Sequence, residues 1–534
     1  MSAVQDKAEQ SRFDWRAIFA LDVRSLAMFR IFAGLIILAD LIFRLPTLCE
    51  LFTEQGFMTR SFAAEYYQVQ SGEYWHFAIW SLYWICGAAW WHYLLFWLAA
   101  VFATMLVLGY RTRLATVGSW ALLASLHTAN PFVITSGDTI FRLSLFWSIF
   151  IPLGQVWSLD ARRKNRIHPA GVSNESDDQG RAIFSMATVC FIIQFMILYI
   201  FTGIAKCNSD WFSGEAMHYV LRLNIYVYSF GTAMLKYPLL LKFIAYATLF
   251  AELILIWCLL IPWKNAMWRG VVLLTFVGFH VGIMLALEIG FFSLICIAIW
   301  TAFLPSQFWK LMPNRLNSDS LPSYVPRANH PAVSLFCAAT IGFVIVLHLF
   351  NTGSPVFKKL LPYAIQPYAH WLALDQRFQM FGRPPRFNPW FVYEATLANG
   401  KTVNPFQEPP GEPTSNPDEL HQPPVNYRKN LPTFHWRKVH RNMVSPAMEP
   451  YRERLAEYAV QKWNSEHAEE SDAQIVHLKL FCYLESTDRS DADSFGQSTV
   501  WATWGDAVPD ETIDAKVDNI LDQLLEEDPA GRPF

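Results

Sequence analysis

Gly203-Ile204-Ala205-Lys206-Cys207-Asn208-Ser209-Asp210-Trp211 closes an apolar run at 183–205 and hands the chain over to polar residues. A run of that length crosses about 30 Å of hydrocarbon as a helix. Similar runs lie on both sides, at 25–45, 88–109, 114–129, 139–156, 239–261, 268–287, 289–304 and 333–350. They predict an all-α polytopic membrane bundle of about nine transmembrane helices, the third, eighth and ninth being short. Composition agrees: the 534 residues are 53% hydrophobic and only 16% charged, against about 25% charged in a soluble domain. A lipid bilayer is therefore the expected environment.

A net charge of −3 and the lack of any basic stripe exclude a nucleic-acid partner. Of eight cysteines, Cys86, Cys190, Cys258, Cys296 and Cys337 lie inside apolar runs, where a thiol acts as a small hydrophobe. There is no CxxC pair, Gly-rich phosphate loop, GxSxG elbow or HExxH motif. No metal is predicted, and hydrolase and nucleotide-driven chemistry lose ground. The polar first two dozen residues lack a cleavage site after a short apolar core, so the first helix is expected to direct insertion.

Lys and Arg in the connections set the orientation. With the N-terminus inside, the inner segments hold sixteen of them, clustered at Arg162, Arg163, Lys164 and Arg166. The outer ones hold five: Arg44, Arg60, Lys206, Arg222 and Lys236. That predicts a cytoplasmic segment 1–24, a transmembrane domain 25–350 and an extracytoplasmic 351–490. The aromatic connections 46–87 and 207–238 would roof the bundle on the outer side. Beyond 350 the chain turns polar. Trp390 to Leu397 runs into an Asn399-Gly400 hairpin turn, 405–432 is a proline-rich irregular loop, Ser445-Pro446 opens a helix to about Asn464, and Ile475 to Leu484 alternates as a strand. This is a small α+β extracytoplasmic domain, followed by an acidic tail at 491–534 with a solvated helix at 514–528.

Ionisable residues inside spans are costly and face the bundle interior by default. They are Arg30, Asp40, His127, Arg142, Lys206, Glu252, His280 and Glu288. Lys206 admits two readings: an ammonium reaching along the helix end to the headgroups, or a desolvated amine able to act as a base. His280 is either a bonded bundle histidine or a partner in chemistry, and Gly278 and Gly282, four apart, would admit a close neighbouring helix. Glu288, two turns on, pairs with a base or marks the interface. In the connection Asn130 to Asp138, Asp138 is an N-cap, or else a substrate contact or a counter-ion. Glu252 and Arg142 are an ion pair with each other or separate polar plugs.

At these residues the chain resembles the vitamin K-dependent gamma-glutamyl carboxylases, in particular their bacterial HTTM (horizontally transferred transmembrane) branch. The family pattern Gly-x-x-Lys-x-x-x-Asp-Trp-x-x-Gly is met by Gly203, Lys206, Asp210, Trp211 and Gly214. Phe279-His280 with Ile289-Gly290-Phe291-Phe292 meets a second segment, and Gly137-Asp138 running to Pro152-Leu153-Gly154 and Ser158-Leu159-Asp160 a third. Gln379-Met380-Phe381 and the hairpin from Trp390 are similar to the same branch, so the likeness covers roughly Asp14 to Leu484. The resemblance implies that Lys206 deprotonates reduced vitamin K or a related quinol, with oxygen and carbon dioxide as co-substrates, in oxygen-dependent epoxidation and glutamate carboxylation. It implies Lys206 and His280 as catalytic residues, with Asp210, Trp211, Asn130, Asp138 and Glu288 around the substrate. An exported peptide or protein is then a partner beside the lipid-soluble quinone. Where the carboxylases carry an Asn-His segment that supports the lysine, Asn130 here precedes Pro131 and Phe132, with no histidine. The alternatives are a non-enzymatic membrane maturation factor for an exported peptide and, without paired broken helices, a transporter.

Overall fold

The computed structural model describes residues 15–71, 79–167, 182–313, 330–351, 366–407, 413–424, 426–487 and 497–505. Nine helices occupy the nine predicted apolar stretches: α1 Val23–Arg44, α2 Ala89–Leu108, α3 Thr112–Ala129, α4 Ser136–Ser148, α5 Met186–Ala205, α6 Pro238–Leu253, α7 Asn265–Ala286, α8 Phe292–Thr301 and α9 Pro331–Asn351. Among the described residues six helical stretches have the length and apolarity of membrane spans, namely those built on α1, α2, α5, α6, α7 and α9. The other three fall short of the expected nine. At 1.5 Å per residue, α4 is only about 20 Å long and α8 about 15 Å. From Ile140 to Ser148 every residue of α4 is buried, so it has no lipid face that would demand a full apolar span. α6, α7 and α9 instead expose large apolar side chains, Phe243, Leu274 and Leu335 among them. Such surface is stable only against hydrocarbon, and the molecule is an integral membrane protein.

The central helix is α5. In its most apolar window 72% of residues are buried, against 28–50% in the other spans. A reciprocal capping box between Ser185 and Thr188 starts it, and Lys206 is its C-cap, where a cation complements the helix dipole. α4, α6 and α9 pack around it. α1 and α2 approach closely because Gly34 has no side chain: a Cβ there would lie 2.6 Å from Val107 Cγ2 and 2.8 Å from the Ala103 carbonyl. The predicted close approach at Gly278 and Gly282 does not occur, since a Cβ at either would meet nothing within 4 Å. Those glycines lie on the face of α7 opposite His280, and it is the histidine's face that turns inward.

The C-terminal region is an antiparallel sheet of order β4-β3-β5-β6, formed by β3 Phe387–Leu397, β4 Thr402–Val403, β5 Ile475–Ser486 and β6 Gln497–Trp504. Two further strands, β1 Leu21–Asp22 and β2 Ala182–Ile183, pair near the start of α1. Gly400, at φ 79°, makes the predicted turn between β3 and β4. β6 pairs with β5 and so carries the sheet past the expected boundary at 490; the helix expected at 514–528 lies outside the described residues. Ser445 makes no side-chain cap. A 3-10 turn, Pro446–Tyr451, precedes the helix expected there, because Pro450 supplies no N–H. Two helices, α10 Phe434–Met443 and α11 Glu453–Glu466, complete the region. It docks onto the ends of the bundle helices. Trp436 Nε1 donates to Glu50 Oε2 at 2.7 Å and Asn442 Nδ2 to the Phe132 carbonyl at 2.7 Å, beside the ring cluster of Phe57, Phe62, Phe132 and Tyr451.

Candidate functional site

Lys206 ends α5 beneath this docked region and is 4% exposed. Its Nζ donates to Glu252 Oε2 at 2.8 Å and Oε1 at 3.1 Å, with Glu252 itself 2% exposed near the end of α6. The ammonium therefore does not reach to headgroups; it is buried against a carboxylate. Gly203 is what lets the two helices meet, for a Cβ there would lie 2.9 Å from Leu253 Cδ2 and 3.1 Å from Glu252 Cβ. Trp211 closes the other side, with Nζ 5.3 Å from its ring centroid. Of the two sequence readings of Glu252 and Arg142, separate roles hold: Arg142 bonds Asp375 at 3.0 Å.

Two turns back along α5, Tyr199 stands on the same face as Lys206, about 10.5 Å away along the axis. Its hydroxyl accepts from Trp300 Nε1 at 2.9 Å and lies 2.8 Å from His280 Nε2. Which of the two donates in that contact follows the histidine tautomer. Nδ1 is buried, with no hydrogen-bond partner among the described residues. Lys206 and His280 thus face the same side of the central helix, each tied to it by a polar contact.

The remaining predicted residues are fasteners. Asp210 receives Arg386 Nη2 at 2.6 Å, whose guanidinium lies 3.7 Å over Tyr219. Trp211 Nε1 donates to the Phe381 carbonyl at 2.9 Å and Asn208 Nδ2 to that of Gly382 at 2.7 Å. The Asp-Trp of the motif is bonded to the chain's own 381–386 segment. Asn130 folds its turn, accepting from Phe132 N and donating to the Leu51 carbonyl. Asp138 is not the N-cap of α4. Thr135 is, and Asp138 is its capping-box partner at N3, where it also receives Arg44 at 2.8 Å. Glu288 receives Arg437 at 2.7 Å and Arg428 at 3.5 Å, marking the interface between bundle and C-terminal domain.

Between these fasteners lies a cavity of about 170 Å³. Ser136 and Gly137 of α4, Ile289 and Phe292 by α8, and Leu223 and Tyr226 from the connection after α5 form its bundle side. Phe381, whose carbonyl holds Trp211, and Phe292, whose ring lies 5.3 Å from that of His280, connect it to both predicted catalytic residues. The C-terminal domain contributes Arg377, Arg383, Lys438 and Arg441. These cations, together with Tyr199 and Trp300, were not singled out by sequence reasoning; Glu252 was, as an acid inside an apolar run, but without the lysine as its partner. No periodicity links α10 to α4.

The fold and this buried Lys-Glu pair define a polytopic membrane protein whose polar chemistry is gathered at one end of its central helix. Residues 20–309, more than half of the chain, match the family model described as HTTM domain, and the chain belongs to that family. Neither the curated proteins nor the solved structures gave a match.

Proposed function

We propose that this chain is a vitamin K-dependent gamma-carboxylase-like membrane enzyme in which Lys206 takes a proton from the hydroxyl of a reduced quinone, beginning its oxygen-dependent epoxidation. The observation that carries this reading is the Lys206–Glu252 contact, buried at the mouth of the central helix on the family's lysine. A base must be able to exist without its proton, and Glu252 at 2.8 Å is the group able to receive it. When the amine then accepts the quinol proton, Glu252 stays hydrogen-bonded to it as the neutral acid that holds the first proton. His280 Nδ1 is buried with no hydrogen-bond partner among the described residues, and a quinol hydroxyl, able to donate or to accept, has the chemistry to meet it in either tautomer. The apolar spans supply the route for a lipid-soluble substrate, and the C-terminal domain, read as extracytoplasmic from the charge asymmetry of the connections, faces any exported peptide. Glutamate carboxylation is the companion reaction in this reading.

One observation favours a second reading, a maturation partner without chemistry: Asp210 and Trp211 bind the chain's own 381–386 segment. Purified protein in lipid nanodiscs, given reduced vitamin K and labelled carbon dioxide, separates the two when epoxide and fixed label are assayed independently. Epoxide from the wild type and none from Lys206→Met supports the base. Equal epoxide from both, or a crosslinked peptide that emerges chemically unchanged and no epoxide at all, sinks it.

A further inference from the structure

At the end of the bundle away from the C-terminal domain, an apolar trench runs into a group of cations. Arg30, early in α1, donates to the carbonyls of Leu106, Val107 and Trp157, so the turn from α2 to α3 and the short helix Leu159–Ile167 lie at the end where α1 begins. Glu50, beyond the end where α1 stops, holds Trp436 of the C-terminal domain. Asp160 stitches the turn to the short helix. Its Oδ1 accepts from Arg111 N at 2.9 Å and its Oδ2 from Thr112 N at 2.8 Å and Thr112 Oγ1 at 2.7 Å. The trench, of about 580 Å³, follows the outside of α2 past Trp97, Val101, Thr104 and Leu108 and ends at Tyr110 and Leu159. Trp97 and Leu108 are more than half exposed, so it opens to hydrocarbon. At 1.5 Å per residue it is about 16 Å long from Trp97 to Leu108, half of the ~30 Å hydrocarbon core. That is the depth of one leaflet.

The mouth of the trench is basic. Arg162 and Arg163 follow Leu159 by three and four positions, which sets them on its face of the helix. The Arg111 guanidinium lies 5.8 Å from the ring centroid of Tyr110. Counting Arg113 and Lys164, the segments 110–113 and 159–164 set five cations against the one carboxylate of Asp160, so positive charge prevails after that acid is allowed for. Arg111, Arg162 and Arg163 are exposed and form no ion pair among the described residues. We propose that this groove binds one anionic phospholipid, with an acyl chain in the trench along α2 and the phosphate held by Arg111, Arg162 and Arg163. A phosphatidylcholine brings the same chain, but its own ammonium offsets the phosphate. Inorganic phosphate brings the charge without the chain. The site owes nothing to Lys206, and a chain whose lysine did no chemistry would still show it.

The test uses the full chain in micelles of an uncharged detergent, titrated with dioleoyl phosphatidylglycerol, dioleoyl phosphatidylcholine or inorganic phosphate. Thermal unfolding reads the affinity and native mass spectrometry the number of lipids retained. Phosphatidylglycerol is expected to raise the unfolding temperature saturably with one molecule held, while phosphatidylcholine and phosphate leave it unmoved. Arg162→Gln and Arg163→Gln are each expected to weaken phosphatidylglycerol about fivefold, the worth of one cation at an anionic lipid surface. Thr104→Trp, which fills the trench and leaves every charge in place, is expected to weaken it as well. Equal shifts from the two lipids would overturn the proposal, as would a response to phosphate alone, a shift that never saturates, or full affinity in Thr104→Trp. The comparison of probes on the wild type needs no variant and decides the matter even where a substitution prevents folding.

Discussion

Lys206 and Glu252 are each too costly to bury alone, and each is the other's reason for being there. Lys206→Met alone leaves a buried carboxylate uncompensated and is expected to cost about 3–5 kcal/mol, read as a lowered unfolding temperature in nanodiscs. Lys206→Met combined with Glu252→Leu should recover most of that stability while epoxide formation stays absent. Recovery of both would mean the pair is only structural. Lys438 gives a prediction in pH. Its folded value of about 8 lies below the ordinary 10.5 of lysine, so its cost to stability is fully present below about pH 8 and is relieved as pH rises from there towards 10.5. The unfolding temperature in nanodiscs is therefore expected to rise between about pH 8 and 10.5, and Lys438→Met to remove that rise.

Gly203 acts between elements, not at a site of its own. Gly203→Ala inserts a Cβ against Leu253 and Glu252 Cβ and is expected to part α5 from α6 at a cost of about 1–3 kcal/mol, weakening the Lys206 contact without touching it. A variant as stable as the wild type, with unchanged epoxide formation, would show that the helices have slack there. Among its described residues the proline-rich stretch, expected to be irregular, lacks sheet pairing apart from one bridge of Thr414 to Thr402. Side chains hold it in place: His421 Nε2 meets Glu394 Oε2 at 2.8 Å, and Tyr427 donates to Glu485 at 2.5 Å. α10 escaped the sequence analysis because its ten residues, Phe434–Met443, mix Arg, Lys and His with aromatics. In a membrane protein that mixture reads as a polar connection.

At the scale of the molecule, the C-terminal region is keyed to the bundle by aromatic packing and by charge. Lys462 joins Trp436 on the carboxylate of Glu50, at 2.7 Å. Trp436→Ala removes one of the largest fully buried side chains and is expected to cost about 3–5 kcal/mol. That variant is expected to become more susceptible to proteolysis between 366 and 505 while the apolar spans stay in the bilayer; unchanged susceptibility would show that the region stays docked without Trp436.

The chain by itself determined the membrane character, the positions of the helices and the placing of Lys206 as a charge at the end of an apolar run, because these rest on apolar run length and on the cost of charge in hydrocarbon, both local properties of a sequence. The hairpin at Asn399-Gly400 was local in the same sense. Tertiary structure alone decided which helix is central, which acid faces the lysine and what the Asp-Trp of the motif holds. Glu252 lies 46 residues from Lys206, Arg386 lies 176 from Asp210, and contacts across such separations leave no periodic trace in the chain. The number of spans also belonged to tertiary structure, for a short helix such as α4 needs no lipid-crossing length once longer neighbours enclose it.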